Sequence, residues 1–66
     1  MNMLSELDQY NLTQLRNQVI QEMSFIEMSL SNEEQYIDAV SSFNVTLRKY
    51  RDMCAALQHK LVYCNE

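Results

Sequence analysis

Cys54, His59 and Cys64 have the strongest claim on metal chemistry in this 66-residue chain. Their spacing argues against it. Ligands that share one helix face sit three or four positions apart, as in H-x-x-x-H. Five residues of helix carry a side chain to a direction about 140° away from its starting point. The three side chains therefore diverge, and the expectation is a surface histidine, two buried reduced thiols and no metal. A disulfide within the chain is also excluded if both cysteines share one helix. Ten residues then span about 15 Å, whereas a disulfide tolerates at most about 7 Å between Cα atoms.

Arg48-Lys49-Tyr50-Arg51 holds three of the five basic residues. Such a segment can contact phosphates, with the tyrosine as a stacking surface. Against this stands a net charge of −4, with nine acidic residues, where a nucleic-acid binder is expected to be basic. A solvated face with Tyr50 turned to the core is the expected reading. If nucleic acid is bound, Arg48, Lys49 and Arg51 are the contacts. Acid–base work by Glu33 and Glu34 needs a cleft that shifts their pKa values, and a short helical chain has no room for one of ordinary ligand size. No serine, histidine and aspartate form a recognisable nucleophilic arrangement. Neither catalysis nor a cofactor is expected.

The elements that must position these residues follow from what the chain lacks. It contains no glycine and no proline. Tight turns, left-handed positions and phosphate-cradling loops normally rely on them, so an all-α fold is predicted. No apolar run approaches the eighteen or so residues of a membrane span. The opening residues lack the pattern of a signal peptide. The expected location is cytoplasmic, with no membrane contact.

Residues 1–10 read as an arm or a short helix. Ser5 with Asp8 is one possible helix start. Asn11 is favoured instead as the N-cap of a helix over 11–30, with Gln14 completing a capping box and Tyr10 and Leu15 forming a hydrophobic staple. Leu12, Leu15, Val19, Met23, Ile26 and Leu30 then recur at helical spacing as its inner face. A turn is placed at 31–32, with Ser31 capping the next helix and Glu34 as its box partner. Asn32 is the fallback for a left-handed position. The second helix, 32–64, carries a heptad pattern: Val40, Leu47, Cys54 and Leu61 at a, and Tyr36, Phe43, Tyr50, Leu57 and Cys64 at d. A sustained period of 3.5 implies left-handed packing against another helix.

Two helices of this kind make an antiparallel hairpin. A single long helix would carry the heptad frame back through Glu22, Ser29 and Glu33 and bury carboxylates. The first helix, starting at residue 11, covers the second only to about Tyr50. An uncovered apolar strip usually marks an interface. Tyr50, Cys54, Leu57, Leu61 and Cys64 are therefore the expected dimer or partner interface, and a homodimer closing a four-helix bundle is predicted. Small or apolar residues at the flanking e and g positions suit a bundle better than a two-stranded coil. Phe25 and Met28 lie off the inner stripe and are the expected outer surface for a further, unidentified protein partner.

The chain resembles the small accessory proteins of the early regions of lambdoid bacteriophages. The likeness rests on its size, its acidic, Asn- and Gln-rich composition, and the hairpin from Tyr10-Asn11-Leu12-Thr13-Gln14-Leu15 to Cys64. It implies a host-modulating or developmental-control protein and supplies no functional residues. Three function classes follow: a non-enzymatic protein-interaction module, a nucleic-acid-associated regulator using residues 48–51, and a structural coiled-coil subunit.

Overall fold

A computed structural model describes residues 4–63. These form two helices, α1 (Glu6–Met28) and α2 (Glu33–Tyr63), packed side by side and antiparallel. The molecule is a rod of 52 × 17 × 12 Å. The all-α hairpin expected from the sequence is the observed fold.

Helix α1 begins five residues earlier than Asn11. Ser5 has an extended backbone, and its hydroxyl oxygen accepts the backbone N–H of Asp8 at 3.0 Å. Glu6 and Asp8 then place two acids in the first turn, where the helix dipole favours them. The Asn11 cap of the sequence reading is not formed, because no residue from 6 to 10 interrupts the helix and the Ser5 cap adds a further turn. Tyr10 is exposed rather than stapled.

The connection is longer than residues 31–32 and uses different caps. Helix α1 ends at Met28, and Ser29 closes it. The Ser29 N–H donates to the Ile26 carbonyl at 3.0 Å, and its hydroxyl donates to the Phe25 carbonyl at 2.8 Å. Asn32, not Ser31, caps α2: its side-chain oxygen accepts the Gln35 N–H at 3.1 Å. The cap is thus displaced by one residue from the expected Ser31, and the Asn32 N–H is taken by the Ser29 carbonyl at 3.1 Å rather than by a box partner. None of the described residues adopts positive φ, so Asn32 needs no left-handed conformation. Four residues suffice to reverse the chain without glycine.

The seam between the helices also differs from the stripe read in the sequence. Met23 is 48 % exposed and Leu30 is 70 % exposed. Their places are taken by Glu22, half-buried, and Ser29, fully buried. The inward set of α1 is Asp8, Leu12, Leu15, Val19, Glu22, Ile26 and Ser29, spaced 4, 3, 4, 3, 4 and 3. That is a heptad rhythm, the period two helices need to stay in contact along a left-handed crossing. The sequence reading followed apolar character and drifted off it. Opposite, the buried and half-buried positions of α2 are Ala39, Val40, Phe43, Thr46, Leu47, Tyr50, Met53, Cys54, Leu57 and Leu61, the expected a and d rows widened by the g row, in which Ala39 and Thr46 are the most deeply buried. Ser29 and Ala39, both small and buried, allow close approach near the turn.

Because α1 starts at Glu6, it covers α2 as far as Lys60. Lys60 Nζ donates to Asp8 Oδ2 at 2.6 Å. Tyr50, Cys54, Leu57 and Leu61 are half-buried, so among the described residues this part of the strip expected to be bare is covered, while Val62 beside it is exposed. Cys64 lies outside the described residues.

Candidate interaction surface

The cross-helix polar contacts set the geometry of the surface. Thr46 is buried in the seam, and its hydroxyl donates to Glu22 Oε2 at 2.8 Å. Gln18 Nε2 donates to the same carboxylate oxygen at 3.1 Å and reaches Thr46 Oγ1 at 3.4 Å. Glu22 Oε1 is buried without a hydrogen-bond partner. A carboxylate in a seam is costly unless it is hydrogen-bonded, and here one oxygen is served and the other is not. The cluster fixes the register of α1 on α2.

At the open end, Asp8 and Lys60 form a partly exposed ion pair, with the aspartate 23 % exposed. The Lys60 hydrogen bond, with the Ser5 cap acting in the same direction, holds the Asp8 carboxyl below the ordinary carboxylate range.

Each expected site residue can now be placed. Phe25 and Met28 are brought together. They line an open furrow with Gln21, Glu22 and Ser24 on the outside of α1, and Met28 is 78 % exposed. Phe25 also faces a second furrow that crosses to Asp38, Ala39 and Ser42 of α2. Leu7 and Tyr10 add exposed apolar surface on α1. Their helix phase sets them on the same side as Phe25 and Met28, at multiples of about 100° per residue. Neither is expected from the sequence, where residues 1–10 read as a separate arm or short helix. Once α1 is continuous from Glu6, the spacing of Leu7, Tyr10, Phe25 and Met28 reveals the alignment.

The basic segment is split. Arg48 and Arg51 line one shallow furrow with Asn44, Leu47, Asp52 and Ala55. Lys49 projects elsewhere, about 100° from Arg48 and about 160° from Arg51. Asp52 stands in the furrow with the two arginines and offsets their field. No continuous basic face results. Tyr50 turns into the seam, as its heptad position predicts, and is not available for base stacking.

Cys54 is a half-buried free thiol and His59 is exposed. Among the described residues, no three of histidine, cysteine, aspartate and glutamate gather as metal ligands. No helix formed by the described residues is long and apolar enough to cross a membrane. The chain matches no protein-family model, no curated protein and no solved structure.

Proposed function

We propose that this chain is a non-enzymatic protein-interaction module, a regulatory or host-modulating factor that acts by presenting helical surface to another protein. The observation that carries this reading is the exposed pair Phe25 and Met28 on the outer face of α1. Met28 stands clear of the hairpin seam, and Phe25 borders it with half of its surface exposed. Exposed aromatic and methionine side chains supply adaptable contact area of the kind that partner helices use. Gln21, Glu22 and Ser24 around them provide a polar rim, the usual surround of an apolar contact.

The test is affinity capture from the cells of origin with the wild-type chain and with the double variant F25S/M28S. A protein retained by the wild type and lost from the variant supports the reading. Loss of capture must occur while the variant's circular dichroism stays helical. Retention of nucleic acid instead, weakened by salt and abolished by R48A/K49A/R51A, would replace the proposal with a nucleic-acid-associated regulator.

A further inference from the structure

The surface around Phe25 and Met28 carries charge of one sign. Two furrows meet there. One lies on the outside of α1 and includes both side chains with Glu22. The other lies between the helices, bounded by Glu22 and Phe25 on α1 and by Asp38, Ala39 and Ser42 on α2. No lysine, arginine or histidine lines either furrow. Both acids are short of donors. Asp38 is exposed and forms no ion pair or hydrogen bond among the described residues. Glu22 accepts from Thr46 and Gln18 through one oxygen, and its Oε1 has no hydrogen-bond partner.

The chain's own lysines and arginines stand elsewhere. Lys60 is bonded to Asp8 at the far end of the hairpin. Arg48 and Arg51 line a furrow formed by α2 alone. Arg16 lies about 180° around α1 from Phe25, and Lys49 lies about 16 Å along α2 from Asp38. The field over the two furrows is therefore negative, and a cleft lined by one sign of charge draws in the opposite one.

We propose that the occupant of this surface is a cationic amphipathic helix of another protein, an inference that rests on the reading of Phe25 and Met28 as a partner surface. Its apolar side chains cover Phe25 and Met28, and its lysines or arginines reach Asp38 and the edge of Glu22. A helix that lays its apolar stripe into an open groove is a recurring mode of recognition. Here the groove has a wall on each helix, and Ala39 and Ser42 are small enough to let a third helix approach. A second copy of the chain fits poorly. A two-fold contact uses the same patch twice, so it would set Glu22 and Asp38 of each chain against those of the other, and opposed like charges are penalised.

The test is fluorescence anisotropy at low salt with a labelled synthetic helix of leucine and lysine, about four turns long, and with its leucine–glutamate counterpart. The wild type is compared with D38K, D38N, E27K and F25S/M28S, each checked for helical circular dichroism. Glu27 is exposed and about 160° around α1 from Phe25, so E27K repeats the charge change of D38K away from the furrows. The leucine–lysine helix should bind the wild type at least tenfold more tightly than the leucine–glutamate helix. D38K and F25S/M28S should each weaken that binding at least tenfold, the milder D38N at least threefold, and E27K less than twofold. Equal losses in D38K and E27K would mean attraction by overall charge and overturn the proposal. So would indifference to both D38K and D38N, absence of binding, preference for the glutamate helix, or a wild-type dimer in sedimentation equilibrium that F25S/M28S breaks. Capture from the cells of origin separates the two levels of inference. A protein lost with F25S/M28S but kept by D38K leaves the partner surface standing and removes the cationic helix, whereas a protein kept by both variants removes both.

Discussion

Lys60 Nζ sits 2.6 Å from Asp8 Oδ2, pairing residues 52 positions apart in the chain at the end of the hairpin remote from the turn. The contact ties the first turn of α1 to the last turns of α2. It extends the helix pairing well past Tyr50.

This pair gives stability a specific acid dependence. The folded-state pKa of Asp8 is lowered, so its contribution is fully present above the unfolded value of about 3.9. It is lost as pH falls through the folded value. Urea unfolding at low salt should show wild type losing more stability than D8N between pH 5 and 3, taken here as roughly one unit either side of that reference. Equal losses in the two proteins would show that the pair contributes nothing. Added salt should shrink the difference, because the pair is partly exposed.

The Glu22–Thr46 contact makes an opposite pair of expectations. T46V removes the donor and leaves the carboxylate with Gln18 alone, which should cost about 1.5–3 kcal/mol, the range for hydrogen bonds to charged groups. The double variant E22L/T46V replaces the cluster with apolar side chains of similar shape and should recover most of that loss or exceed wild type. Urea denaturation of the two variants decides it. A double variant less stable than T46V would mean the cluster contributes net stability, beyond setting register.

The caps distinguish the observed helix starts from the ones the sequence favoured. S5A and N32A should each cost about 1 kcal/mol, the usual loss on removing an N-cap side chain. N11A sits inside an exposed helical stretch, where alanine is the better helix former, and should be neutral or slightly stabilising by about 0.5 kcal/mol. Destabilisation by N11A comparable to S5A would restore the start at residue 11.

Close approach near the turn is testable by overpacking. Ala39 and Ser29 are both small and both buried in this hairpin. A39L should destabilise by about 1–3 kcal/mol, the common cost of inserting bulk into a packed contact. The same substitution at exposed Ala55 or Ala56 should cost under about 0.5 kcal/mol. A tolerated A39L would show that the helices can separate near the turn.

Much of this molecule was legible residue by residue. The absence of glycine and proline excluded turn-rich folds, and the 3–4 spacing from Tyr36 to Leu61 announced the long second helix. Phe25 and Met28 were readable as outward because Ile26 already filled the inner row. The seam of α1 was readable in principle: Asp8, Leu15, Glu22 and Ser29 fall seven apart. Three of those four are polar, so apolar periodicity alone points to Met23 and Leu30 instead.

The sequence by itself determined that the chain would be two helices joined by a glycine-free turn, because local periodicity and capping chemistry need no distant partner. Only the tertiary structure decided where α1 begins and which polar residues enter the seam. Those choices depend on contacts between residues far apart in the chain. Glu22 becomes acceptable inside only when Thr46 stands opposite it. Residues 6–10 gain an anchor on α2 when Lys60 arrives beside Asp8.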